Sequence, residues 1–391
     1  MSLRVLVAPS GLKEALTAEE VAEVITRGVR GAAPDAVVVS TPVPDGGEGF
    51  ARGLVGAVGG ALHPVEVTGP LGAPVTARFG VLDVEGERTA ALAMSSAAGL
   101  HLLPTDHREP LATTTRGVGE LVLAALDAGA RRLVVGCGDS GTSDGGAGMA
   151  QALGARLVDA DGRDLGPGGG ALADLDHIDA SGLDPRLAEV DIEVAVNPTT
   201  PMTGPSGVAR VFGPQKGAGP DEVATLAAGL ERWAGELERL SGRDVAHEPG
   251  AGASGGLGAC LAALLGARLV PRFEVIGHYL DLDRLIARSD LVLTAEGSLD
   301  GQSTNGKVPG DLARRAAALD VPLIALAGRV EDGARDLLGE GLQAWISALV
   351  RPCTLEEALS EARTAFEAAA EQTVRTVLVG RRIAESGSDR R

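Results

Sequence analysis

Short apolar runs alternate with amphipathic stripes along this chain. Leu3 to Ala8 is an apolar run with β-branched residues, and Thr17-Ala18-Glu19-Glu20 behind it has the S/T-x-x-E form of a helix capping box. Val21, Val24, Ile25 and Val29 follow at i, i+3, i+4 and i+8, one face of a helix, and Ala36 to Ser40 returns to strand. The first forty residues therefore predict a β-α-β unit. The pattern recurs: helix over Val118–Leu126, strand over Arg132–Val135, strand over Ile192–Val196 ending at Asn197-Pro198, and helix over Asp221–Leu240. It continues with a buried strand Asp290–Thr294, a Gly loop, a helix near Asp311–Leu319, a strand Pro322–Ala327 and one long helix Leu355–Leu378, with a frayed tail from Glu385. Ala160 to Gly170 reads as a surface loop. Strands joined by helical crossovers imply parallel sheets covered by helices, an α/β fold. No fixed-period repeat or linker marks a domain boundary.

Length and composition narrow the class. A chain of 391 residues, 45 % hydrophobic, has the length for two domains and enough apolar surface for a core. No run of about 18 apolar residues predicts a membrane span, and the N-terminus lacks the pattern of a signal peptide, so a cytoplasmic protein is expected. Cys137, Cys260 and Cys353 are far apart without C-x-x-C spacing, which argues against a disulfide framework or a zinc site. The formal charge is −18 and aromatics are 2 %, so neither a basic nucleic-acid surface nor a stacking platform is expected. Acidity of this size keeps a protein soluble. It also means that anionic substrates would need positive charge concentrated locally.

Of 35 basic residues only three are lysines, Lys13, Lys216 and Lys307. A coding bias toward Arg explains the scarcity but not the positions. Each lies in or beside a Gly-containing loop: Pro9-Ser10-Gly11-Leu12-Lys13, Gly213-Pro214-Gln215-Lys216-Gly217 and Asn305-Gly306-Lys307. Lys is a compact point charge where Arg is a wide planar fork, and a site holding a phosphate oxygen at short range can require the ammonium.

Four Gly-rich segments follow predicted strands or open helices: Pro44–Gly49, Gly136–Gly146, Gly252–Gly258 and Ala295–Asp300. One such loop alone is equally compatible with tight-turn use of glycine. Together they bring Asp45, Glu48, Asp144, Glu296 and Asp300 into the same loops as the lysines. Phosphoryl transfer needs these parts: backbone amides and Lys for phosphate oxygens, carboxylates for Mg²⁺, and an Asp to orient the acceptor. Competing motifs fit less well. Gly252-Ala253-Ser254-Gly255-Gly256 matches G-x-S-x-G, but no strand precedes it. Gly301 to Lys307 has G-x-x-x-x-G-K spacing but ends in Val308, without the Mg²⁺-binding hydroxyl of a P-loop. No dinucleotide G-x-G-x-x-G follows the first strand.

At these residues the chain resembles the bacterial glycerate kinase family, which phosphorylates D-glycerate with ATP, commonly at the 2-hydroxyl. The resemblance runs through Ala8-Pro9 with Lys13, Asp45-Gly46-Gly47-Glu48-Gly49, Thr113-Thr114 with Gly117 and Gly119-Glu120, and Asp144 to Gly154. It continues through Asn197-Pro198, Phe212 to Ala218, Gly250 to Gly258, and Glu296-Gly297 with Asp300, Gln302 and Gly306-Lys307-Val308-Pro309. It implies two α/β domains, a Rossmann-like parallel sheet built from both chain ends (1–85 and 287–391) and an inserted domain (86–286), with the Gly loops lining the cleft. On this resemblance ATP and Mg²⁺ are the expected cofactors, and a small hydroxy acid is the expected partner. No nucleic acid or membrane partner is expected, and assembly as a homodimer stays open.

The expected catalytic residues are Asp45, Asp144, Lys216 and Lys307. Gly138, Ser140, Gly145, Gly146, Gly255, Gly256 and Gly297 are expected on the nucleotide phosphates, Glu296 and Asp300 on the metal, and Ser10, Lys13, Glu48 and Arg116 on the acceptor. Departures from the family pattern include Ser10-Gly11 for Asp-Ser, Arg116 for an aromatic, Ala93 for Glu, and loss of an Asp near Val194. They remove negative charge and add positive charge. A kinase of another small hydroxy acid or polyol, and a non-catalytic nucleotide- or metabolite-binding paralogue, therefore stand as alternatives.

Overall fold

The structure is a computed structural model that describes residues 2–12, 14–47, 49–106, 108–197, 200–301, 303–304 and 306–388. The chain is α/β and divides into two compact units, residues 1–45 with 276–391 and residues 46–275. No helix among the described residues is long and apolar enough to cross a membrane.

In the first unit five strands form a wholly parallel sheet, in the order Ala344–Ser347, Leu323–Val330, Leu291–Leu299, Arg4–Val7, Val37–Ser40. Counted from the N-terminus of this unit the order is 2-1-3-4-5, a doubly wound arrangement. Its switch point lies between Arg4–Val7 and Leu291–Leu299, where ligands bind outside the carboxyl ends of the strands. The first helix, Ala18–Ala32, starts at Thr17, whose side chain accepts from Glu20 N while the Glu20 carboxylate accepts from Thr17 N. Its buried face of Val21, Val24, Ile25 and Val29 packs in one core with Phe366, Ala370 and Val374 of the last helix. The two approach so closely at Gly28 that a Cβ there would stand 2.3 Å from Glu367 O.

Two expectations for this unit are corrected. Ala295 to Asp300 is not a turn: the strand runs on to Leu299, because Ser298 and Leu299 pair with Arg329 and Val330. The C-terminal segment is two helices, Leu355–Ser360 and Ala362–Ser388, the first opened by its own capping box of Thr354 and Glu357. The tail expected to fray from Glu385 is instead helical through Ser388. Residues 389–391 lie outside the described residues.

The second unit holds a six-stranded sheet in the order Arg268–Pro271, Asp191–Val196, Arg132–Gly136, Glu87–Ala93, Pro74–Val84, Ala61–Thr68. The first four run parallel and the last two are antiparallel additions. These additions move the division from the expected 85/86 to 45/46: Pro74–Val84 pairs along Glu87–Ala93 and Ala61–Thr68 pairs along Pro74–Val84, so residues 46–85 belong to the inserted sheet. The second division falls at 275/276, not 286/287, inside the helix Arg272–Tyr279. Helices Arg116–Asp127 and Pro220–Ser241 stand where the apolar stripes place them. Both bury leucines in the core that holds Leu133, Val194 and Trp233.

Candidate active site

The first unit gathers polar groups at its switch point. Beyond the end of Arg4–Val7 the chain stays beside its neighbour, with Ser10 N donating to Ala295 O at 3.1 Å. The buried Ser10 hydroxyl lies 2.8 Å from Ala295 O and 3.0 Å from Glu296 Oε2. It has one proton for two acceptor oxygens, so the carbonyl and the carboxylate share it. Burial pushes the Glu296 carboxyl above the usual range. The Ser10 hydroxyl and the Lys307 ammonium oppose that shift, Asp45 adds to it, and the Gly297 amide opposes it. Glu296 thus feels the charges of both Lys307 and Asp45.

Lys307 occupies the position just before the helix Val308–Ala318 and reaches Asp300, its Nζ 3.1 Å from Oδ2. Asp300 is held in turn by the buried Ser303, whose Oγ accepts from Asp300 N at 3.0 Å and lies 3.2 Å from Oδ1. Gly297 is placed in the strand, with open space where a Cβ would be. The expected residues Lys13 and Glu48 lie outside the described residues, as do Gln302 and Asn305.

The second unit builds a different group on the loop after Arg132–Gly136. Lys216, only 2 % exposed, donates to Ser140 Oγ at 2.9 Å and to Thr142 O at 2.5 Å. An ammonium has three N–H groups, and these bonds use two of them. Burial lowers the Lys216 pKa to about 8, with Asp144 opposing the shift. Asp144 is fully buried. Its Oδ2 accepts from Thr115 N at 2.7 Å, Thr115 Oγ1 at 2.8 Å and Gly148 N at 3.2 Å, and its Oδ1 accepts from Gly146 N at 3.2 Å. Burial nonetheless pushes its carboxyl up. All four donors belong to the protein, and Asp144 ties the start of helix Arg116–Asp127 to the start of helix Ala147–Ala152. Sequence reading expected Asp144 among the catalytic residues, with it or Asp45 orienting the acceptor hydroxyl; here both Asp144 oxygens accept from the protein's own donors.

The glycines of this loop have a packing reason. Gly145 adopts φ +65°, and a Cβ there would lie 2.5 Å from the Trp233 ring, whose Nε1 donates to Gly145 O at 2.7 Å. Gly255, at φ +74°, brings its backbone against Thr142 O, and its carbonyl accepts from Gly145 N at 3.0 Å, so the two Gly-rich segments lie backbone on backbone. Gly138 lies against Gly46 and Gly47, and Gly146 and Gly256 also adopt positive φ. Thr115 and Thr142 were missed by the sequence reading; the run Thr113-Thr114-Thr115 ahead of a helix was the available signal.

Three rival chemistries find no support among the described residues. Ser254, at φ +52°, has a buried hydroxyl with no hydrogen bond to a His, Asp or Glu among the described residues, so no base is in place to activate it. Burial pushes the Cys137 thiol up to about 12 and that of Cys260 up as well, the opposite of a reactive thiolate. No cluster of three or more His, Cys, Asp or Glu is placed to cage a metal.

Arg116 is not brought to the Lys216 group. It lines a separate cavity, to which none of Ser140, Thr142, Asp144 and Lys216 contributes, and pairs with Glu120 at 3.2 Å.

A family model described as "Glycerate kinase family" matches residues 5–378. The chain is 45 % identical over 374 residues to a protein of Bacillus subtilis (strain 168) named glycerate kinase, covering 96 % of each chain. It is 43 % identical over 381 residues to a protein of Escherichia coli (strain K12) named glycerate 2-kinase, covering 97 % of this chain and 99 % of the relative. A crystal structure from Salmonella typhimurium LT2, of a protein assigned as glycerate kinase 2, superposes with a TM-score of 0.84 at 43 % identity, covering 98 % of this chain and all of the other.

Proposed function

The chain belongs to the glycerate kinase family, and from that premise we propose that it transfers a phosphoryl group from ATP to a hydroxyl of glycerate, the 2-hydroxyl, giving 2-phosphoglycerate. The observation that carries the reading is near-complete coverage at 45 % and 43 % identity by relatives named glycerate kinase and glycerate 2-kinase. The protein is proposed to work in the cytoplasm as a metabolic enzyme, without nucleic acid as a partner; assembly as a homodimer remains compatible with the reading.

The roles follow from the two groups. Lys307 and Lys216 neutralise phosphate oxygens, Lys216 through its third N–H. Gly138 and Ser140 face the nucleotide phosphates with backbone and hydroxyl groups, with Gly297 beside them in role. Gly145, Gly146, Gly255 and Gly256 shape the phosphate loop, since the N–H groups of Gly145, Gly146 and Gly256 are taken by Gly255 O, Asp144 Oδ1 and Gly252 O. Asp45 orients the acceptor hydroxyl, and Ser10 holds the acceptor together with Lys13 and Glu48. Asp144 positions the loop that carries Ser140 and Thr142.

Glu296 and Asp300 are the proposed contacts for Mg²⁺. The donor types fit that ion: it takes one or two carboxylates plus substrate phosphates and water, not a protein cage, and Glu296 and Asp300 are both neighbours of Lys307. When bound, Mg²⁺ would supply charge to the phosphate oxygens.

The test is ADP release from MgATP with D-glycerate, with the product identified by ³¹P and ¹H NMR. Absence of ADP release with glycerate overturns the reading, and a 3-phospho product overturns the position.

A further inference from the structure

Beside the start of helix Arg116–Asp127, in the second unit, lies a cavity of about 460 Å³. Thr114, Arg116, Gln151, Arg156 and Asp164 supply its polar lining. That volume is in the range of small-molecule pockets and larger than a three-carbon acid needs. Two guanidinium groups line it, each paired with one carboxylate, Arg116 with Glu120 and Arg156 with Asp164.

The hydrogen-bond inventory shows what this cavity can still bind. Arg116 meets Glu120 through Nε, and both Glu120 oxygens are already occupied by Thr68, N at 2.6 Å and Oγ1 at 2.9 Å. The terminal Nη groups of Arg116 therefore have no hydrogen bond among the described residues. Arg156 spends Nε at 3.0 Å and Nη2 at 2.9 Å on a single oxygen, Oδ1 of Asp164. Its Nη1, and Oδ2 of Asp164, are left without a hydrogen bond among the described residues. Gln151 gives Nε2 to Leu165 O at 3.0 Å and keeps its amide oxygen. Side-chain exposures of 49 % for Arg116 and 56 % for Arg156 place both arms where a solute can reach them.

The cavity thus offers two guanidinium ends as donors and two oxygens as acceptors. A lone small anion would use one guanidinium and none of the acceptors. A molecule with two anionic groups and a hydroxyl uses both guanidinium ends and one of the acceptors, and guanidinium ends suit carboxylate and phosphate alike. We propose that this cavity is a second binding site, apart from the transfer chemistry, for a small hydroxylated acid with two anionic groups, the class to which a phosphorylated glycerate belongs. The choice of probe rests on the kinase reading; the site itself does not.

Calorimetric titration of the full chain with 2-phosphoglycerate, inorganic phosphate and glycerate tests it. Wild type should bind 2-phosphoglycerate at a site that Arg156→Ala weakens at least about tenfold, the worth of one charge-assisted pair, while ADP release from MgATP and glycerate persists. Arg156→Lys, which keeps the charge but not the fork, should weaken it less, and this variant carries the test if Arg156→Ala fails to fold. Binding of 2-phosphoglycerate unchanged in both variants overturns the site. Inorganic phosphate binding there as tightly as 2-phosphoglycerate overturns the two-anion class. Failure of the kinase reading shows separately, as absence of ADP release in wild type.

Discussion

Ser10 Oγ stands 3.0 Å from Glu296 Oε2 across the switch point of the first sheet, at the carboxyl ends of its two central strands. The contact joins residues 286 positions apart. It places a hydroxyl and a buried carboxyl where doubly wound sheets bind their ligands.

Glu296→Gln separates function from structure at this contact. The amide keeps the size and the hydrogen bond to Ser10, and removes a charge that burial disfavours. Thermal or denaturant unfolding at neutral pH should show stability unchanged or raised. kcat/KM should fall at least about tenfold, roughly 1.4 kcal/mol in the barrier. Loss of stability with activity retained would assign Glu296 to the scaffold.

Lys216 predicts a pH dependence. Its pKa falls from 10.5 to about 8 in the folded protein because burial disfavours the charged form. Between those values the unfolded chain holds the proton and the folded chain does not, so the Lys216 contribution to stability rises with pH through that window. Activity should move the other way, with an alkaline limb near pH 8 as the ammonium is lost. In Lys216→Arg the residual activity should lack that limb, since guanidinium stays charged. A wild-type profile flat to pH 9.5 counts against the role.

Asp144→Asn should be a folding defect first. An amide can accept at only one of its two heavy atoms, while three backbone N–H groups and the Thr115 hydroxyl converge on the carboxylate. The expected loss is about 2–4 kcal/mol, read as a lower denaturant midpoint. Full stability in Asp144→Asn would show that the carboxylate is not what holds the two helix starts.

Lys307→Arg keeps the charge at a partly exposed position and changes its shape. The expected result is unchanged stability with kcat/KM lowered at least about tenfold. Equal kinetics would remove Lys307 from the phosphate-binding set.

Gly145→Ala meets both a left-handed backbone and the Trp233 ring at 2.5 Å. The substitution should cost about 1–3 kcal/mol and change Trp233 fluorescence, because the indole Nε1 bond to Gly145 O must give way.

Legibility in the sequence followed the reach of each interaction. The helix Ala18–Ala32 was readable because its capping box and apolar stripe are local, and both appear in place. The strand from Leu291 was read five residues short, since its last part is polar and is strand only through pairing with the neighbour that ends at Val330. The antiparallel strands Ala61–Thr68 and Pro74–Val84 were missed: Pro64 and Gly80 interrupt the pattern, and the strands declare themselves only by pairing. The misplaced domain division has the same cause. In the candidate site the lysines and carboxylates were visible by type. Glu296's proximity to Ser10, the capping place of Asp144 and the company of Arg156 and Asp164 around Arg116 depend on contacts no local pattern encodes.

The first sheet has a consequence for synthesis at the ribosome. Its central strand Arg4–Val7 is made first, but its partner Leu291–Leu299 and the helix Ala362–Ser388 that covers Ala18–Ala32 come late or last. The segment 46–275, contiguous in sequence, is complete while residues 1–45 still lack three of the five strands of their sheet. The nascent chain therefore carries an early, apolar β-α-β fragment with an unpaired strand edge past a finished domain, and that fragment is where holdase chaperones would find their substrate.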